Sequence, residues 1–440
     1  MLFLLILFFF LYFFFLVRKC VDGFSKMVLI IYGAFWTVSL IGTQFNIQGL
    51  HTPQDTTLLI CVLGIICFSV GFFSVPISST VLVRYNANLL KQSIENLISN
   101  KIFQIIVYVA TIYIISQDIL LINAIFVDKV LIGGDARVAI WDEDSLYNPI
   151  LRFLIPNFFS WLIPIVKGLF CYSLFYKRDR FTIVMLLLLF GFTALDVGRI
   201  GFIKAILPLI AVIGLFQIYK GRIYLLKAQK KLFLAIMSLA FVFVFVVSTI
   251  RNASSDFTSA MSDGWNATIE QVVSYSIGPT VAFDHQINSN AFHNFVGEDG
   301  RGSISLWPLM TPYFRLQTPY IGIKPNFDKF REFTEKEKID VGIYYNWNGL
   351  YTWNLNFYSD GGILGIIILN FLFGFFMRYT IKLTYRHQTV YSYILCTIVL
   401  MYVILSPMKL IDYNVIDPIF ISVLLILSYK NRISNLMLAK

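Results

Sequence analysis

Charge is scarce in this sequence. Of 440 residues only 14% are Asp, Glu, Lys or Arg, against roughly a quarter in a soluble globular chain. Histidine is rarer still, with four. Cysteine numbers five, all in or beside apolar stretches, so neither a disulfide framework nor a zinc spacing is present. There is no internal repeat, which counts against a transporter built from two similar halves. What fills the chain is apolar. Hydrophobic residues make up 58%, aromatics 17%, with 43 Phe, and mean hydropathy is +0.73. That composition excludes a soluble enzyme, a disordered chain, collagen and a coiled coil. The net charge of +10 belongs to membrane topology rather than nucleic-acid binding, because basic residues gather in cytoplasmic loops.

A bilayer core takes about 20 apolar residues per helix, and about eleven such runs can be marked. Their rough limits are 1–17, 27–45, 57–76, 102–125, 153–176, 181–197, 200–219, 231–250, 361–380, 389–406 and 413–429. The first has no basic segment before it and Arg18-Lys19 directly after it, so it reads as a retained helix rather than a signal peptide. Lys and Arg concentrate in one alternate set of loops: Arg18, Lys19, Lys26; Arg84, Lys91, Lys101; Lys177, Arg178, Arg180; Lys220 to Lys231; Arg378, Lys382, Arg386; and Lys430, Arg432, Lys440. Only Asp22, Glu95 and Asp179 oppose them there. The expected fold is therefore an all-α polytopic integral membrane protein, N-terminus outside and C-terminus cytoplasmic. Helices 1–8 occupy residues 1–250, a large outer loop 251–360, and helices 9–11 with a tail 361–440. Within the loop, Ile269, Val272, Val273, Ile277 and Val281 predict a helix lying on the membrane surface, bent or interrupted at Pro279.

Several outward arginines suggest an anionic ligand. The link Asp196-Val-Gly198-Arg199-Ile-Gly201-Phe-Ile-Lys204 opens a helix, so Arg199, Lys204 and the helix's positive end together suit phosphate. Arg251 closes the eighth run on the same side. Arg137, Arg301 and Arg315 lie in outer loops. A lipid diphosphate fits, since its tail stays in the bilayer while its phosphates sit at the interface. Pairing with Asp196 or contact with headgroups is the plainer reading of Arg199. A proton acceptor for a sugar hydroxyl is available from Asp284, His285, His293, Glu298 or Asp299, and the sequence does not choose among them. Asp142-Glu143-Asp144 reads as solvated charge, and no metal or cofactor is expected. The stretch from Tyr344 to Asp360 is dense in aromatics and amides: Tyr345, Trp347, Asn348, Trp353, Asn356, Tyr358 and Asp360 suit a glycan. An interfacial aromatic belt explains the Trp and Tyr but not Asn346, Asn348, Asn354 and Asn356.

The sequence resembles the bacterial O-antigen polymerases, the Wzy-type oligosaccharide repeat-unit polymerases. The resemblance rests on the many spans with one large late outer loop, on Gly198-Arg199 opening a helix, and on Tyr358-Ser-Asp360-Gly361-Gly362-Ile-Leu-Gly365 at the start of a span. One pattern described for some members, Arg and Gly eleven positions apart, is not met: Arg251 and Gly264 are thirteen apart. The resemblance implies a glycosyltransferase at the periplasmic face of the bacterial inner membrane. It would join undecaprenyl-diphosphate-linked oligosaccharides into polysaccharide, in company with a chain-length regulator and a flippase, and without nucleic acid. In that setting Arg199 and Arg251 act on the leaving diphosphate, with Arg137 beside them. An O-antigen ligase and, more distantly, a lipid-linked oligosaccharide flippase are the rival readings.

Overall fold

A computed structural model describes residues 1–123, 158–195, 204–219, 275–290, 292–294, 339–342, 351–408 and 420–430, with isolated positions between 150 and 242. Among them the chain is helical, apart from a two-residue antiparallel hairpin, Ile218–Tyr219 with Arg222–Ile223. The helices in chain order are α1 (Leu2–Leu11), α2 (Gly23–Gly42), α3 (Asp55–Ser74), α4 (Ser79–Val83), α5 (Ala87–Ile98), α6 (Lys101–Ile122), α7 (Ser160–Tyr176), α8 (Arg180–Leu195), α9 (Pro208–Phe216), α10 (275–287), α11 (Asn354–His387), α12 (Val390–Leu405) and α13 (Phe420–Lys430).

Five stretches are long and apolar enough to cross a membrane: Leu2–Lys19, Gly23–Phe45, Asp55–Ser74, Lys101–Leu120 and Asn354–His387. Shorter apolar helices meet the expected runs at 153–176, 181–197, 200–219, 389–406 and 413–429. Most of the run at 231–250 lies outside the described residues. The protein is a multi-pass helical membrane protein. Its surface agrees: Phe3, Phe10, Ile102, Val109, Ile112 and Leu364 are all exposed, as side chains facing lipid are.

Two compact units divide the chain. One comprises residues 1–85, 271–386 and 399–423, the other 86–270, 387–398 and 424–440.

In the first unit, α3 and α11 touch backbone to backbone. A Cβ added at Gly71 would run into the Phe371 carbonyl, and one at Gly374 into the Phe68 carbonyl. Small residues permit this approach, and close packing is what holds membrane helices together when lipid is as apolar as the side chains. At the opposite end from α3's N-terminus, Arg378 Nη1 donates to Asp22 Oδ2 at 2.8 Å, with the two side chains 5% and 2% exposed. Asp22 also caps α2 by accepting from the Ser25 amide, 2.8 Å. Arg378 donates from Nε to the Val75 carbonyl at 3.4 Å and lies over the Phe72 ring. One buried ion pair thereby joins the start of α2, the end of α3 and the middle of α11. Burial pushes the Cys20 thiol beside it up to about 11, with Arg378 pulling partly the other way.

Helix α10 corrects the expected surface helix. Residues 275–287 continue helically through Pro279. Ile277, Val281, Ala282 and Phe283 are buried. Ile277 fills the space over Gly42, and Thr280 and Ser39 share a hydroxyl hydrogen bond of 2.7 Å. The amphipathic pattern requires one covered face, and protein covers it here through the C-terminal half of α2. The part of the expected helix before residue 275 lies outside the described residues.

In the second unit α6 and α8 pack along their lengths. The amphipathic α5 buries Leu90, Ile94 and Ile98, one face at helical spacing. Tyr172 donates to Glu95 Oε1 at 2.9 Å, and Lys91 lies 4.2 Å over the Tyr176 ring.

Candidate functional site

Helix α11 is broken near its start. Gly361 (φ −150°, ψ 16°) and Gly362 (φ 58°, ψ −137°) leave helical geometry. The second conformation is one that only glycine adopts without strain. The break lets the short arm, 354–360, fold back along the long arm, 363–387. Asn354 Oδ1 accepts from Asn370 Nδ2 at 3.1 Å. The Phe357 carbonyl packs onto Gly365, where a Cβ would collide with it. Trp353 lies 4.9 Å from the Phe373 ring. Gly361 to Phe373 is about 18 Å of helix at 1.5 Å per residue. Trp353 therefore sits well down the span. At this level the long arm exposes Ile363, Leu364, Ile368 and Leu372.

The short arm is polar and covered. Thr352, Asn354 and Asn356 are buried, as is Asn370 opposite. Gly64 of α3 makes room for the amide pair, a Cβ there falling 3.1 Å from Asn370 Nδ2. Thr352 Oγ1, Trp353 Nε1, Asn354 Nδ2, Asn356 Oδ1 and Asn370 Oδ1 have no hydrogen-bond partner among the described residues. Each such atom costs about 1–3 kcal/mol, so this is a concentrated reserve of unmet polarity inside an aromatic shell of Tyr32, Phe68, Trp353, Phe357 and Phe373.

Above it, α10 and the segment after it meet the same arm. Tyr358 stands 6.2 Å from both the Phe283 and the Phe292 rings. Asp284 and His293 are the next residues along from those two rings. Asp284 Oδ1 accepts from the Gln54 amide at 3.2 Å, from Asn288 Nδ2 at 3.2 Å and from Thr57 Oγ1. A carboxylate thus serves the open N-terminus of α3, where it meets the positive end of the helix dipole. Gln286 Nε2 donates to Tyr351 Oη at 3.1 Å. Segment 339–342 docks on the loop between α2 and α3: His51 N donates to the Val341 carbonyl at 3.1 Å, and His51 Nε2 lies 3.7 Å from Asp340 Oδ1 on an exposed surface.

Six of the residues expected from sequence thus come together in one unit: Asp284, His293, Trp353, Asn356, Tyr358 and Asp360. His293 and His285 are exposed, whereas Trp353 and Asn356 are buried within the fold rather than standing on an open face. Lys204 is half-buried and belongs to the other unit. Arg137, Arg199, Arg251, Glu298, Arg301, Arg315, Tyr345, Trp347 and Asn348 lie outside the described residues. Sequence reading passed over Asn370, a lone amide in an apolar run, and the His51–Asp340 pair.

Compared with protein-family models, with curated proteins and with solved structures, the chain matches none.

Proposed function

We propose that the chain is an O-antigen polymerase, a glycosyltransferase that joins polyprenyl-diphosphate-linked oligosaccharide repeat units at the outer face of a bacterial inner membrane. The observation that carries this reading is the Tyr358-Ser-Asp360-Gly361-Gly362 run. It forms a broken helix whose Tyr358 gathers the α10 region, with Asp284 and His293 at its flanks. That arrangement sets half-buried Tyr358 and Asp284 beside exposed His285 and His293, aromatic and polar groups of the kind that recognition of a lipid-linked glycan uses.

In this reading the eleven spans place the Arg251–Asp360 region outside. The growing glycan leaves its lipid diphosphate and joins a hydroxyl of the second unit. Arg199 and Arg251, with Arg137, stabilise the charge that develops on the departing diphosphate. Asp284, His293 and Glu298 are the outer-loop groups able to take the hydroxyl proton. The lipid diphosphate is already an activated leaving group, so the scheme uses neither metal nor nucleotide.

Deleting the gene in its own host and separating the surface glycolipids on a gel tests the reading. Single-repeat glycolipid without a ladder is the expected result. Unattached lipid-linked polymer beside bare core would identify a ligase instead, and repeat units held on the cytoplasmic side would identify a flippase.

A further inference from the structure

Helix α6 carries a carboxylate inside an apolar span. Asp118 lies about 25 Å along the helix from Lys101 at 1.5 Å per residue, one turn before its end at Ile122. The buried face of α6 is Val107, Ala110, Thr111 and Ile114, and then turns polar at Gln117 and half-buried Asp118. It packs on α8 at Gly191. A Cβ at Gly191 would stand 2.7 Å from Asp118 Oδ2 and 2.7 Å from Ile114 Cγ2, so the missing side chain is the notch that holds the carboxylate. Asp118 Oδ1 and Gln117 Oε1 are buried without a hydrogen-bond partner among the described residues, and Gln117 is only 6% exposed. Ser116, Ile119 and Leu120 beside them are exposed, which leaves the pair close to the helix surface.

Both atoms are acceptors. What completes them is a donor, a hydroxyl or a cation. An intramembrane carboxylate is expensive and marks a working site unless something neutralises it. Five other described carboxylates are engaged, Asp22 by Arg378, Glu95 by Tyr172, Asp179 by Thr182, Asp340 by the Gly342 amide, and Asp284 by three donors on one oxygen, and Asp55 is exposed. Asp118 is the one with a buried oxygen that lacks a partner.

The geometry points to Asp118, in place of Asp284, His293 or Glu298, as the catalytic carboxylate that takes the proton of the attacking sugar hydroxyl, with Gln117 Oε1 accepting from a second hydroxyl of the same sugar. This rests on the reading of the chain as a glycan transferase using a polyprenyl-diphosphate donor. In the step, the hydroxyl proton passes to an Asp118 oxygen and the sugar oxygen bonds to the donor's anomeric carbon. The bond from that carbon to the diphosphate breaks, its electron pair leaving with the diphosphate.

The test uses the full chain in lipid vesicles, with polyprenyl-diphosphate-linked repeat units from its own host as substrate. Asp118→Asn should lower kcat about 100-fold or more, the size of a general-base contribution, with KM and the thermal midpoint little changed. Asp118→Glu should recover part of the rate, and Gly191→Ala, which crowds the carboxylate, should lower kcat without removing it. Polymerisation by Asp118→Asn at more than a third of the wild-type rate overturns the assignment and leaves the transfer reading standing. If Asp118→Asn fails to fold, an unchanged kcat in Gly191→Ala overturns it instead. A wild-type protein that forms no polymer under these conditions overturns the transfer reading and this assignment together.

Discussion

Arg378 reaches across from α11 to Asp22, the residue that caps α2, in a buried ion pair of 2.8 Å. The Tyr385 hydroxyl adds a donor to the same carboxylate at 3.3 Å. Breaking a buried pair by removing one partner leaves the other charge uncompensated. Arg378→Ala or Asp22→Ala should each cost about 3–5 kcal/mol. Thermal unfolding in detergent checks this, and the double variant should lose much less than the two single losses combined.

Cys20 lies beside that pair and is 7% exposed. Its thiol is held up to about 11, chiefly by burial, so almost none of it is thiolate at pH 8. Only the thiolate attacks an alkylating reagent. Iodoacetamide should therefore modify Cys20 slowly at pH 8, and the rate should climb with pH toward about 11. In Arg378→Ala the cation that favours the thiolate is gone, and labelling of the folded protein should be slower still. Mass spectrometry of the Cys20 peptide reads both.

Gly362 holds a backbone conformation that a side chain strains. Gly362→Ala should cost about 1–3 kcal/mol and displace the short arm that carries Tyr358 and Asp360. In the proposed polymerase it should reduce the glycolipid ladder more than it reduces the amount of protein in the membrane. A ladder as long and as dense as the wild type's would show that the fold-back plays no part in activity.

The Asn354–Asn370 bond joins the two arms. Interhelical polar bonds of this kind measure about 0.6 kcal/mol on average and up to about 1.7. A double-mutant cycle of Asn354→Ala and Asn370→Ala, read by unfolding in detergent, should return a coupling in that range. A coupling of zero would mean the two arms are held by packing alone.

Composition made the membrane class legible. Hydropathy runs located the helices because each apolar run meets one, except where 231–250 lies largely outside the described residues. What was hidden has physical reasons. A seven-residue arm folded back at Gly361-Gly362 has no length signature, so the same residues read as the edge of a loop. Asp118 disappeared into the average of an otherwise apolar helix. Arg378 and Asp22 carry a topological signal, and counting charges by loop says nothing of which two meet. The apolar positions of α10 specify a covered face without naming the cover. Of the expected site, Asp284, His293 and Tyr358 converge because Phe283 and Phe292 pack on Tyr358, a contact that spacing along the chain does not encode.

The fold-back also dictates an order of assembly. The polar arm 354–360 is too short and too wet to enter a bilayer by itself. It must await the long arm that is synthesised after it. Its root is tied later still, since the Trp353 amide donates to the Ser406 carbonyl at 3.0 Å, at the end of α12. The contacts that bury this arm therefore form only after it has been synthesised, with residues that follow it in the chain.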